Sequence, residues 1–108
     1  FRPPKSVQEA AKRSLEMRKS LPKSRKGGTA VGVARANQLA AGRAVSLETI
    51  ARMVSFFARH EVDKKAEGFR RGEKGYPSKG KVAWELWGGE AGKRWANSIW
   101  KRNRGKKA

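Results

Sequence analysis

The chain has 108 residues, enough for one small domain, and its 27 Lys and Arg against 9 Asp and Glu give a formal net charge of +18. The absence of Cys excludes disulfides and thiolate metal sites, a single histidine excludes a multi-histidine site, and nothing resembles a membrane span or a signal peptide. The charge predicts a polyanionic partner. Nucleic acid is the usual one, an anionic membrane competes with it, and a soluble basic surface without a specific partner is the third alternative.

The first predicted helix follows a basic N-terminal arm, residues 1–5. Ser6 and Glu9 have the spacing of a capping box, and Pro22 ends the helix. The segment "PKSRKGG" (22–28) is rich in Gly and Lys and has little apolar character, so it predicts a flexible basic linker.

Two further helices are predicted in the middle of the chain. Thr29 caps a helix of small residues that ends at Gly42, and Ser46 caps a third helix. Helical spacing predicts that the third helix buries an apolar stripe made of Leu47, Ile50, Ala51, Val54, Phe57 and Ala58. Met53 and Phe56 add a second apolar flank, which is typical of a central core helix.

The C-terminal part is predicted to contain a loop and two helices. Residues 66–77 have three glycines and a proline, Ser78 caps a helix that ends at Trp87, and a last helix covers Glu90 to Arg102. Residues 103–108 form a basic tail. The fold class is therefore all-α, a compact bundle of about five short helices with basic, partly disordered ends, and residues 6–102 form its single domain.

The stretch "GYPSKGKV" (75–82) almost matches a phosphate-binding loop. The match fails because Val82 has no hydroxyl for a metal ion and no apolar strand precedes the glycine. A helix cap at Ser78 explains the residues better, although Lys79 and Lys81 in the first turn oppose the helix dipole unless an anion binds there. Backbone phosphate at the helix start and a plain solvated cap both stay open.

Three other patterns bear on function. "QLAAGRAVSLETIARM" (38–53) resembles a helix-turn-helix, but its turn is long and Arg52 has Glu48 as a partner four residues away. Of the four tryptophans, Trp100 beside two basic residues is the candidate for stacking on bases, and the other three are expected in the core. "RHEVDKK" (59–65) predicts a helix end, not a metal site, and no cofactor or enzymatic activity is expected.

Two runs, "GGTAVGVARANQLAAGRAVSLETIARMVSFFARHEVDKK" and "YPSKGKVAWELWGGEAGKRWANSI", resemble a small domain found in tailed-bacteriophage proteins, including those of marine and cyanobacterial phages. The similarity covers about residues 5–100. That domain occurs alone or joined to larger structural or head-maturation polypeptides, with no settled activity. The resemblance implies a phage origin, and therefore a virion or the bacterial host cytoplasm as the location, without secretion.

From these features we expect a domain that binds nucleic acid, with DNA favoured over RNA, through phosphates and with little base readout. No membrane is expected as a partner. The alternative is a virion module that docks on capsid or portal protein, on a larger parent polypeptide or on another acidic partner. The predicted nucleic-acid contacts are Arg70, Arg71, Lys79, Lys81, Lys93, Arg94, Trp100, Lys101, Arg102 and Arg104.

Overall fold

The computed structural model describes residues 1–104, and in that part of the chain it contains five α-helices and no strand. The prediction of an all-α bundle is confirmed. The helices are α1 (Lys5–Ser20), α2 (Ala30–Ala40), α3 (Leu47–His60), α4 (Lys79–Leu86) and α5 (Gly89–Asn103), with turns of 3₁₀ helix at Lys23–Arg25 and Glu61–Lys65.

Three of the predicted N-caps are confirmed. In each, a side-chain hydroxyl accepts a hydrogen bond from the backbone N–H three residues later, which satisfies one of the free amides of the first turn. The caps are Thr29, Ser46 and Ser78, with donor–acceptor distances of 3.2, 3.1 and 3.0 Å.

The first helix begins differently from the prediction. It begins at Lys5, and its cap is Pro4, whose carbonyl oxygen accepts hydrogen bonds from the backbone N–H groups of Val7 and Gln8. The predicted capping box is wrong because Ser6 already lies inside the first turn. Proline fixes its own φ and directs the chain into the helix without a side-chain cap.

All five helices contribute to one core. Helix α1 contacts α2, α4 and α5, whereas α3 packs mainly against α5, so the prediction that α3 is the central helix is wrong. The buried apolar residues of α3 are Ile50, Met53, Phe56 and Phe57. Ala58, which the spacing assigned to the buried stripe, is exposed, and Val54 is only partly buried. The second apolar flank therefore faces the centre of the core, and the buried face is rotated toward Met53 and Phe56.

The residues before α1 are attached to the core. The amino group of Phe1 donates a hydrogen bond to the Val45 carbonyl at 2.8 Å, and the Val45 N–H donates to the Phe1 carbonyl at 2.7 Å. Pro3 is buried, and its carbonyl accepts a hydrogen bond from Gln8 Nε2 at 2.9 Å. Part of the predicted basic arm is thus held against the loop before α3.

The predicted linker 22–28 is also held in place. Arg18 Nε donates to the Gly27 carbonyl at 2.9 Å, and Arg25 donates to the Gly75 carbonyl at 2.9 Å. Gly27 is buried, and a Cβ there would lie 2.3 Å from the carbonyl oxygen of Lys79. Only glycine permits this close approach of two backbones, which brings the start of α2 beside the start of α4.

At the C-terminal end, α5 continues one residue past the predicted Arg102, to Asn103. Residues 105–108 of the predicted tail lie outside the described residues.

Candidate functional site

The outer side of α5 carries a row of cations, which we call the α5 basic face. It consists of Arg94, Lys101 and Arg104, with Asn97 and Ser98 between them, and all five residues are exposed. With 3.6 residues per turn, these positions fall on one side of the helix. Helical spacing places Arg102 beside this face, and it is exposed as well.

No carboxylate within the helix offsets this charge. Glu90 is the only acidic residue of α5, and its side chain binds Lys64 at 2.8 Å. Among the described residues, the side chains of Arg94, Lys101, Arg102 and Arg104 form no ion pair. An anion can therefore bind them without displacing an internal partner.

Two predicted contact residues, Lys81 and Lys93, do have internal partners. Lys81 Nζ lies 3.1 Å from Glu85 and 4.9 Å from the ring centroid of Phe69. Lys93 Nζ lies 2.9 Å from Glu61. A phosphate would have to compete with these carboxylates, so neither lysine can bind it without losing an internal ion pair.

Lys93 belongs to a network of charges above the core. Lys64 Nζ binds Glu90 at 2.8 Å and Glu61 at 3.0 Å, and it lies 4.7 Å from the ring centroid of Trp84. Hydrogen bonds from Lys93 and then Lys64 lower the pKa of Glu61. The hydrogen bond to Glu90 is the main cause that raises the pKa of Lys64. Both pKa shifts favour the charged forms, of Glu61 and of Lys64.

The remaining predicted contact residues lie in different places. Arg70 and Arg71 are exposed in the 66–77 loop, where the Arg70 N–H donates to Glu73 Oε1 at 2.9 Å. Trp100 is partly buried against the core, as is Trp95, while Trp84 and Trp87 are buried. Trp84 and Trp87 thus lie in the core as predicted, whereas Trp95, which was also expected there, is only partly buried against it. The partial burial of Trp100 leaves only part of its ring for stacking.

Lys79 lines a cleft of about 630 Å³ that the sequence did not reveal. The cleft lies between the start of α2, the second half of α3, the 3₁₀ turn after α3 and the start of α4. Its floor contains Phe56, His60, Ala83 and Trp87, and its cationic rim contains Arg52, Arg59 and Lys79. Of the described residues, Asp63 alone contributes a carboxylate to the lining, and its Oδ2 lies 3.0 Å from His60 Nδ1.

The floor of the cleft is a series of stacked rings. Phe56 is stacked on Trp87 with the centroids 4.6 Å apart and on His60 with the centroids 4.4 Å apart. The guanidinium of Arg35 lies 5.4 Å from the Trp87 centroid, and its Nε is buried with no hydrogen-bond partner among the described residues. Burial and then the nearby Arg52 lower the pKa of Arg35. The positive charge of Arg35 beside the cleft is thus only partly offset by hydrogen-bond acceptors.

The chain does not form a helix-turn-helix at residues 38–53. Helix α2 packs mainly against α1 and then α4, whereas α3 packs mainly against α5. The two helices of a helix-turn-helix pack against each other, and the second is exposed to enter the major groove. The predicted Arg52–Glu48 pair is confirmed at 2.6 Å, and both side chains are largely exposed.

"GYPSKGKV" is the entry to α4 and follows a loop, not a strand. Ser78 caps the helix, and a Cβ on Gly80 would lie 2.9 Å from the Cβ of Asp63. The glycine therefore permits the 3₁₀ turn after α3 to pack on α4. Of its two lysines, Lys79 faces the cleft and Lys81 pairs with Glu85.

Residues 1–104 contain no group of three or more His, Asp or Glu side chains arranged to hold a metal ion. None of the helices described is both long and apolar enough to span a membrane.

Comparisons of the chain with protein-family models, with curated proteins and with solved structures gave no match.

Proposed function

We propose that this domain binds nucleic acid, DNA in the first place, through phosphate contacts with little sequence readout. The observation that carries the proposal is the α5 basic face, which combines exposed cations with no ion-pair partner within residues 1–104. The formal charge of +18 supports it, because the whole surface attracts a polyanion.

The dimensions of the face suit a nucleic-acid backbone. Arg94 and Arg104 are ten residues apart, which corresponds to about 15 Å along an α-helix. Guanidinium groups bind phosphate oxygens with paired hydrogen bonds, and Asn97 and Ser98 add neutral donors between them. Contacts to phosphates position a protein on nucleic acid but carry no sequence information directly.

The resemblance to a tailed-phage domain stays a prediction, since no family model, curated protein or solved structure matched the chain, and it supports a phage setting for this proposal. A phage protein meets a dense polyanion, the phage genome, in the virion and in the host cytoplasm. We therefore propose the genome as the physiological ligand, with the α5 basic face against its backbone.

The experiment compares two triple variants that lose the same charge. One replaces Arg94, Lys101 and Arg104 with Gln, and the control replaces Lys12, Arg13 and Lys19 of α1, which are exposed too. Binding to a labelled duplex is measured over a range of salt concentrations. We expect the α5 variant to lower the slope of log K against log salt by about three units, and the α1 control to lower it by less than about one.

Two outcomes contradict the proposal. If both triple variants lower the slope of log K against log salt equally, total charge and not the α5 basic face determines binding. Absence of salt-dependent binding in the unmodified protein would exclude a phosphate-binding function.

A further inference from the structure

We propose that the cleft between α2, α3 and α4 takes an unpaired nucleobase, with the adjoining phosphates on Arg59 and Lys79. This inference rests on the proposed nucleic-acid function and names a part of the ligand, single-stranded or locally unpaired nucleic acid. It assigns a role to residues that the α5 basic face does not use.

The apolar floor argues against a duplex as the occupant. A duplex presents phosphates and sugars on its outside, whereas its bases are stacked inside. The floor consists of the rings of Phe56, His60 and Trp87 with Ala83, surfaces that a phosphate does not satisfy. Phe56 already has His60 on one face and Trp87 on the other, so a base would stack on the remaining face of His60 and contact only the edges of the other two rings. Aromatic side chains beside basic residues are the usual surfaces on which unpaired bases stack, with little dependence on sequence.

The cations at the rim of the cleft favour a ligand that carries a negative charge close to a planar ring. Arg59 and His60 are neighbours on α3, so a cation borders the ring floor directly, and Lys79 lines the same cleft from the start of α4. The Arg59 side chain is exposed and has no carboxylate partner among the described residues. A nucleotide carries its planar base and its phosphate on one short sugar, which matches this arrangement.

An acidic peptide is the competing occupant, and the ring floor disfavours it. In a peptide the carboxylate and the aromatic ring belong to different side chains and need two separate subsites. The cleft, with a volume of about 630 Å³, instead joins one ring floor to its cations in a single cavity. That volume lies in the range of pockets for small organic ligands.

The test uses two single-stranded oligonucleotides with equal numbers of phosphates, one of thymidines and one in which abasic spacers replace the central nucleotides. Ser55 lines the cleft and is exposed, so Ser55→Phe fills the cavity without entering the core. Ala58→Phe is the matched control, because Ala58 is exposed on the same helix and does not line the cleft. Circular dichroism and thermal melting verify the fold of each variant.

We expect the unmodified protein and Ala58→Phe to bind the thymidine strand about tenfold more tightly than the abasic strand, and Ser55→Phe to lose that preference. Both strands should bind Ser55→Phe about as tightly as the abasic strand binds the unmodified protein. Equal binding of the two strands by the unmodified protein overturns the inference, as does an unchanged preference in Ser55→Phe.

A second pair of variants covers the case in which Ser55→Phe does not fold. Val31 and Val62 are both exposed, by 60% and 66%, but only Val31 lines the cleft. Val31→Glu should weaken thymidine binding more than abasic binding, and Val62→Glu should weaken both equally. Equal weakening by the two substitutions overturns the inference.

Two further outcomes are distinguishable. If a peptide rich in Glu and Trp binds the unmodified protein but not Ser55→Phe, and the preference for thymidine persists, the cleft is a protein-docking site and the inference is wrong. If neither single strand binds at any salt concentration, the inference is wrong, and salt-dependent binding of the labelled duplex then decides whether the proposed function fails with it.

Discussion

The two lysines of "GYPSKGKV" should have separable roles, and replacing each with Gln tests this. Lys79 is exposed and lines the cleft, whereas Lys81 binds Glu85 at 3.1 Å and lies over the ring of Phe69. We therefore expect Lys79→Gln to weaken nucleic-acid binding without changing stability. Lys81→Gln should lower stability and leave binding almost unchanged.

The magnitudes follow from the contacts. For Lys79, one lost phosphate contact lowers the salt slope by about 0.9, which at about 0.1 M salt weakens binding by up to about eightfold. For Lys81, the loss is one ion pair with side chains about 20% exposed and one cation–π contact. Together these are worth about 1–1.5 kcal/mol, which corresponds to about 5 °C in melting temperature for a domain of this size.

The assay combines salt-dependent fluorescence anisotropy with thermal melting on the same protein samples. The reasoning is refuted if Lys81→Gln weakens binding as much as Lys79→Gln and melts at the temperature of the unmodified protein. It is also refuted if Lys79→Gln lowers the melting temperature by several degrees, because its side chain would then contribute to the fold.

The other predictions concern stability. Trp84 is 1% exposed, so Trp84→Ala should lower the free energy of unfolding by about 3–5 kcal/mol. Trp100 is only partly buried, so Trp100→Ala should lower it by less, and equal urea midpoints of the two variants would contradict this. Glu61 has its pKa lowered from 4.5 by two lysines, so its stabilising effect is present above that pH and is lost as the pH falls below it. Glu61→Gln should therefore melt below the parent at pH 7, with the difference shrinking below about pH 4; a constant difference would contradict the pairing. Gly27→Ala should cost about 1–3 kcal/mol, because its Cβ would lie 2.3 Å from the backbone oxygen of Lys79, and an unchanged urea midpoint would show that the backbones separate easily.

Local signals in the sequence were sufficient for much of the fold. Each confirmed cap at Thr29, Ser46 and Ser78 is a contact within four residues, so its chemistry is visible in the sequence. The Glu48–Arg52 pair is local in the same sense. The wrong capping box at Ser6 shows where local signals fail. Pro4, two residues earlier, is the N-cap of the helix instead.

The buried face of α3 could not be located from spacing alone. Apolar residues lie on two flanks of this helix, and only packing against the other helices decides that Met53 and Phe56 are buried and Ala58 is exposed. Periodicity identifies an amphipathic helix reliably when one flank is apolar, but it is ambiguous when two flanks are.

The candidate site was predicted only where it lies on one helix. Arg94, Lys101 and Arg104 share a face of α5 by spacing. The cleft, in contrast, is lined by residues from four separate segments of the chain. Lys93 and Glu61 are 32 residues apart, so neither the cleft nor this pair can be predicted from neighbouring residues in the sequence. The Lys81–Glu85 pair has the spacing of neighbours on a helix and could have been found from the sequence.

The most direct test of the central claim is the binding of the unmodified protein to two duplexes of unrelated sequence as the salt concentration is raised. If about six phosphates are contacted, both affinities should fall by about a thousandfold between about 50 and 200 mM salt, with the same slope. Affinities that do not change with salt, or binding to one duplex only, would contradict the account.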